Sequence, residues 1–428
     1  MFPRCRSITV LAALVGMATI LPTATSTAAP APPRTPGHYI VVLRDSVTDS
    51  GAVADEHRAR YGANVSFVYG SALKGYAAQI PDANLARVRA DRRVQFVGID
   101  GEVAAAAQQV PTGINRIGGP ISSQLSGNGS GALSGVAVAV IDTGSGPHSD
   151  LNIVGGKNCQ TGKSYNDGNG HGTHVAGSIG AKDDGVGVVG IAPGVPIYSV
   201  RVLNNFGSGS WSSVACGIDW VTANASRLGI KVANLSLGGP GADDGNCGNT
   251  NNDALHKAIC GSIAAGVTYV VAAGNSGVDF QGSIPAAYDK VLAVTAVADF
   301  NGQPGGGAAS TCRADVDETA ADFSNFATLT ADQAHTIAAP GVCILSTWKG
   351  GGYNTISGTS MAAPHVSGVA ALCIATGACS GSSGSPASVM TKLRDDAAAQ
   401  LVAYGFTGDP RSPSGSRYYG YLTYAGGY

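Results

Sequence analysis

Three short stretches of this sequence hold side chains that could do chemistry together. Asp142-Thr143-Gly144 leaves the apolar run Val136–Ile141, and Asn169-Gly170-His171-Gly172-Thr173-His174 sets glycines around a histidine that enters a helix. Ser357-Gly358-Thr359-Ser360-Met361-Ala362-Ala363-Pro364-His365 puts a serine at the start of an apolar helix. Pro364 is expected in that helix's first turn, where a missing N–H does no harm. Each stretch alone has an ordinary turn or capping explanation. In the order acid, histidine, serine they make more sense together. A serine hydroxyl is a weak nucleophile, an imidazole can take its proton, and a carboxylate can hold the imidazole in the right tautomer.

Such groups need a frame. Five nearly continuous apolar runs, Val136–Ile141, Tyr198–Leu203, Val232–Leu237, Val267–Ala272 and Val291–Val297, are separated by helical stretches. Strands apolar on both faces belong to a mostly parallel α/β sheet with helices on both sides, and sites in such sheets form beyond the strands' C-terminal ends. The polar residues just after each run are therefore the candidates.

Charge divides the chain. Of its 428 residues 13% are charged and 62 are glycine, and the net charge is −2. No basic stripe exists to neutralise phosphates, which excludes nucleic acid as a partner. Residues 30–106 carry 9 Lys/Arg and 8 Asp/Glu, whereas the much longer 107–428 carries 15 and 20, with Glu318 its only glutamate. The charged part reads as strand His38–Leu43, helix Gly51–Tyr61, strands Val65–Tyr69 and Tyr76–Ile80, helix Ala83–Ala90 and strand Val94–Ile99. That is a small ferredoxin-like β-α-β-β-α-β pattern of α+β class.

Residues 1–29 have Arg4 and Arg6, an apolar run from Ile8 to Leu21, and small residues before Ala29. This is the order of a secretory signal, too short for a permanent anchor, and it predicts a secreted, extracellular protein without a membrane partner. Cys5 leaves with that segment, and the other eight cysteines allow up to four disulfides in 105 connectivities. Spacing alone offers Cys247 with Cys260, Cys312 with Cys343, and Cys373 with Cys379 as local candidates.

The three motifs in that order, with Val271-Ala272-Ala273-Gly274-Asn275, make the chain resemble the subtilisin-like serine proteases, and the acid, histidine, serine order is the one known for subtilisin. Tyr39-Ile40-Val41, Ala72-Leu73-Lys74-Gly75-Tyr76-Ala77-Ala78 and Val94 to Asp100 resemble the inhibitory pro-domains of such proteases. The resemblance implies a serine endopeptidase with Ser360 as nucleophile, His171 rather than His174 as base and Asp142 behind it. The Asn275 amide and the Ser360 N–H would form the oxyanion hole. It implies substrate-lining edges at Gly207-Ser208-Gly209 and Ser236-Leu237-Gly238-Gly239, with Ala273 and Gly274 beside them and Trp211 as an aromatic wall. Ser276, Gly277 and Val278 offer no acidic pocket floor, so a broad or apolar preference is expected. Ile284-Pro285 is expected to be cis.

The resemblance also implies a structural Ca²⁺ site from Gln108, Asp150 and Asp184 side chains with the Lys182, Val186 and Val188 carbonyls, and no organic cofactor. It places self-cleavage at Ala106/Ala107, at the charge seam. Three parts follow: a signal peptide at 1–29, a pro-domain at 30–106 acting as intramolecular inhibitor, and a monomeric peptidase domain at 107–428 acting on protein or peptide substrates. Two other classes compete. A catalytically silent binding protein should lack one of Asp142, His171, Asn275 and Ser360, and an esterase should place its acid and histidine after the serine. Gly185-Val186-Gly187-Val188-Val189-Gly190 matches a dinucleotide-binding pattern, but it does not join a strand to a helix and is set aside.

Overall fold

The computed structural model describes residues 34–101, 108–379 and 384–428. The expected signal peptide and the Ala106/Ala107 cleavage point lie outside the described residues. The rest falls into two compact units, one within 34–101 and one from 108 onward.

The smaller unit runs β1 (Arg34–Leu43), α1 (Ser50–Tyr61), β2 (Asn64–Tyr69), β3 (Gly75–Gln79), α2 (Asp82–Ala90) and β4 (Val94–Gly101). Its sheet has the order β2-β3-β1-β4 and is antiparallel throughout. Alternate residues Val41, Leu43, Tyr76 and Ala78 meet Val53, Ala54 and Val88 of the helices in one core. Asp49 caps α1 by accepting from Ala52 N–H, and Gly62 ends it at φ 65°.

In the larger unit seven strands run parallel: β5 (Ala137–Asp142), β6 (Ile153–Asn158), β7 (Ile197–Arg201), β8 (Ile230–Leu235), β9 (Thr268–Ala272), β10 (Leu292–Ala298) and β11 (Thr336–Pro340). Their spatial order is β11-β10-β9-β8-β5-β7-β6, and Thr319–Ala320 pairs antiparallel with the end of β10. Successive side chains go to opposite faces. Val138, Val140, Val232, Val270 and Val294 enter one core, under α3 (His171–Gly180), α6 (Thr359–Ala375) and α7 (Pro386–Ala398). Ala139, Ile141, Leu235, Val271 and Ala293 enter the other, under α4 (Trp211–Leu228) and α5 (Ala254–Ala264). The five apolar runs are β5, β7, β8, β9 and β10. Two parallel strands escaped the sequence pattern: β6, an edge strand containing Gly155-Gly156, and β11, whose short Thr336-Ile337-Ala338-Ala339 core ends at a proline. A hairpin of β12 (Ile344–Trp348) and β13 (Gly352–Ile356) escaped it too.

The three local cysteine pairs form, and Cys159 bonds Cys216, joining the residue after β6 to α4. Pro364 corrects an expectation. It is the sixth residue of α6, not in its first turn, and so denies the Ser360 carbonyl its helical donor. Ser236 Oγ donates to that carbonyl at 2.8 Å instead, so the acceptor freed by the proline ties the sheet to α6.

Candidate active site

Every sequence-derived candidate except the calcium set gathers at the C-terminal edge of the parallel sheet. Asp142 is the last residue of β5 and fully buried, and His171 is the first residue of α3. His171 Nδ1 lies 2.8 Å from Asp142 Oδ1, which also accepts from Thr143 N–H at 2.7 Å. Burial pushes the His171 imidazole down, but the Asp142 charge, its hydrogen bond and Asp167 outweigh this and hold it above its ordinary value.

His174 differs. Burial drives it down to about 3, and Nε2 donates to the Ile344 carbonyl at 2.9 Å, anchoring α3 to the β12–β13 hairpin. It is a neutral packing residue, and His171, whose side chain is a quarter exposed, is the imidazole that faces the cleft.

Asp167, which no sequence pattern marked, organises both partners. Its Oδ1 accepts from Asn169 N–H, Gly170 N–H and Thr143 Oγ1, and its Oδ2 from Thr173 N–H and Oγ1, all at 2.7–2.9 Å. Thr143 Oγ1 in turn accepts from Gly172 N–H at 2.9 Å. The start of α3 is thereby locked to the end of β5. In sequence Asp167 sits among Asn166, Gly168 and Asn169 and looks like one more turn residue.

Ser360 is the second residue of α6, where N–H groups lack helical acceptors. Its Oγ donates to the Ser236 carbonyl at 3.2 Å. Asn275 follows β9 by three residues, and its Oδ1 accepts from Thr359 N–H at 2.8 Å and Thr359 Oγ1 at 2.9 Å. With its oxygen so occupied, the amide presents Nδ2 as a donor without a partner among the described residues. Asn325, also missed by the sequence reading, clamps this loop: Nδ2 donates to the Ala273 carbonyl, and Oδ1 accepts from Ser276 and Val278 N–H. Gly274 has φ +104°, and a Cβ there would stand 2.4 Å from Asn325 Nδ2, so only glycine fits.

Two adjoining cavities complete the cleft. One, about 830 Å³, is lined by His171, Gly207, Ser208, Gly209, Trp211 and Ser236 to Gly239, among others. The other, about 410 Å³, is lined by Leu237 to Pro240, Ala273 to Ser276 and Ser360, and none of the described residues that line it is charged. Trp211 is 37% exposed, and its ring lies against Gly239. Ile284-Pro285 is cis, as is Gly146-Pro147.

The calcium candidates assemble away from the cleft. Gln108 Nε2 donates to the carbonyls of Lys182 at 2.6 Å, Val188 at 3.2 Å and Val186 at 3.3 Å. Gln108 Oε1 and Asp150 Oδ1 are buried without partners among the described residues. Asp184 Oδ1 accepts from Val186 N–H at 3.2 Å in the same loop. Turning the Gln108 amide by half a revolution would bring an oxygen to the three carbonyls, an all-oxygen donor set that suits a hard cation. The residues fit Ca²⁺.

A parallel sheet covered on both faces, with acid, imidazole and hydroxyl over its strand ends, defines the class. Residues 133–409 match the Subtilase family. Over 285 residues the chain is 41% identical to M-protease of Shouchella clausii (strain KSM-K16), covering 66% of this chain but only 64% of that protein. It is 42% identical over 269 residues to Subtilisin Savinase of Lederbergia lenta, covering 62% and 84%. A crystal structure of a cold adapted subtilisin-like serine proteinase superposes with TM-score 0.53 at 32% identity, covering 73% of this chain and 97% of its own. The chain belongs to the subtilase family, and the larger unit has the subtilisin-like fold.

Proposed function

We propose that the protein is a secreted serine endopeptidase that hydrolyses peptide bonds through an acyl-enzyme and matures by cleaving itself. The observation that carries this is the Asp142–His171 pair at 2.8 Å, set with Ser360 and Asn275 around one cleft. His171 Nε2 takes the Ser360 proton as Oγ leaves the Ser236 carbonyl and attacks the peptide carbonyl carbon. Asp142 holds the Nδ1 tautomer and stabilises the imidazolium. Charge that develops on the carbonyl oxygen falls to Asn275 Nδ2 and the Ser360 N–H, donors fixed before the reaction begins. The imidazolium protonates the leaving amine, and water, activated by the same imidazole, releases the acyl group.

An extended substrate pairs its backbone with the Gly207–Gly209 and Ser236–Gly239 edges, where missing side chains allow close approach. The neutral lining of the smaller cavity favours apolar or uncharged side chains at the residue before the cut. Gln108, Asp150, Asp184 and the Lys182, Val186 and Val188 carbonyls would hold Ca²⁺, which braces the loop before Pro193 and takes no part in the chemistry. Residues 30–106 act as the pro-domain that blocks the cleft until Ala106/Ala107 is cut. In this reading the mature enzyme works as a monomer without an organic cofactor.

Expression of wild type and Ser360→Ala, followed by intact mass and N-terminal analysis, tests the reading. Wild type should begin near Ala107, with activity appearing as cleavage proceeds, and Ser360→Ala should stay an inactive precursor. Identical processing of the two would sink self-cleavage.

A further inference from the structure

A largely buried polar cluster lies outside the cleft, where the loop after Pro240 meets α5. His256, the third residue of α5, is fully buried, and among the described residues neither ring nitrogen has a hydrogen-bond partner. Asp243 Oδ1 is buried without one as well. Yet His256 Nδ1 stands 3.3 Å from Asp243 Oδ1 and 3.2 Å from Asp244 Oδ1. Two unpartnered polar atoms facing each other beside a third, the well-anchored Asp244 carboxylate, call for something between them.

We propose that Asp243, Asp244 and His256 bind a divalent transition-metal cation, with Zn²⁺ the best match. Two ligands each about 2.0–2.1 Å from a tetrahedral zinc stand roughly 3.3–3.4 Å apart, close to the separations found here. One imidazole with two carboxylates is a mixed nitrogen and oxygen set, which suits zinc and not the oxygen-seeking Ca²⁺ or Mg²⁺. A metal-bound imidazole carries no charge, so a dication there would be balanced by the two carboxylates. The Asp243 side chain is 22% exposed, so water can reach a fourth position. Cys247 and Cys260 also lie near His256, but they are joined as a disulfide and offer no thiolate.

The groups are held in place by their surroundings. The Asp244 carboxylate accepts from Asn246 and Gly248 N–H at 2.9 Å and from Thr250 N–H at 2.8 Å. The His256 ring stacks on Tyr288 with centroids 4.0 Å apart and planes within 6°. The Tyr288 hydroxyl donates to Asp253 Oδ2 at 2.5 Å, and Asp253 Oδ1 caps α5 through Leu255 and His256 N–H. Partners of this kind fix ligand orientation in metal sites. The loop starts at Gly239–Pro240, which pairs with Ser283–Ile284 and lines the smaller cavity. A cation bound here ties that cavity wall to α5.

The test uses the purified full chain, stripped with chelator, returned to saturating Ca²⁺ and titrated with ZnCl₂, beside Asp243→Asn and His256→Gln. Bound zinc, thermal unfolding and the visible spectrum with Co²⁺ are read for each. Wild type should bind about one zinc more than Asp243→Asn, with affinity about 10-fold tighter or more, and show four-coordinate Co²⁺ bands that both variants lack. Zinc taken up by His171 is common to all three proteins and cancels in the difference. Should His256→Gln fail to fold, Asp243→Asn decides alone, since its side chain keeps its size and reaches solvent. Equal zinc uptake and equal spectra in folded wild type and Asp243→Asn would overturn the site.

Discussion

Asn275 offers the sharpest probe of the proposed function, because in it the two ends of the amide do separate jobs. Oδ1 is committed to Thr359 N–H and Oγ1, which leaves Nδ2 for charge that exists only in the transition state. Asn275→Ala should therefore lower kcat by ~10²–10³, or about 2.7–4 kcal/mol, while KM barely moves. Thr359 is fully buried, so the same change strands its N–H and hydroxyl and should cost a further 1–3 kcal/mol or so of folding stability. Asn275→Asp separates the two effects. It keeps an acceptor for Thr359, and with it most of the stability, but it faces the oxyanion with a negative charge and should lose at least as much kcat. Thr359→Val leaves one of the two orienting bonds and should cost about tenfold or less. Steady-state kinetics on peptide anilides, with thermal unfolding of the same preparations, reads all three. A fall in kcat below about fivefold for Asn275→Ala, or a loss confined to KM, would refute the donor role.

Because Asp142 and Asp167 hold the His171 proton above the ordinary 6.5, the neutral base is lost on acidification, and kcat/KM should fall below a midpoint higher than that value. Asp167→Asn removes one of the charges that favour the imidazolium, so its pH profile should shift that midpoint downward. Asp150→Asn should abolish the rise in melting temperature that Ca²⁺ gives wild type, a rise worth about 2.7 kcal/mol at a hundredfold excess over Kd; an unchanged rise counts against the calcium set. Gly368→Ala would put a Cβ 1.4 Å from Ile191 Cγ2 and should destabilise by ~3 kcal/mol in denaturant titrations, at the upper end of overpacking costs.

The groups proposed to react were picked out in the sequence because each follows a local signal: Asp142 ends an apolar run, His171 lies among glycines, and Ser360 opens an apolar helix. Their supports were not. Asp167 and Asn325 act on residues brought to them by the fold, so neither has a local pattern of its own. β6 hid because an edge strand need not be apolar on both faces, and its glycines read as a turn. β11 hid because its proline reads as a breaker, although it falls at the strand's end where no ladder donor is missed. Pro364 misled for the opposite reason. The general rule for prolines near helix starts held no information about Ser236, the distant hydroxyl that makes a mid-helix proline tolerable.

The alternation of side chains along β5, β8, β9 and β10 has a consequence for how such a molecule can change. His171 and Ser360 head helices rooted in one layer, whereas Trp211 and the Ser283–Ile284 wall belong with the other. In the proposed function, bond breaking and bond choosing thus fall to separate halves of the interior. On that proposal, lineages or laboratory selections that retune which peptide is cut can accumulate their substitutions in the α4–α5 half, leaving the half assigned to the reaction untouched.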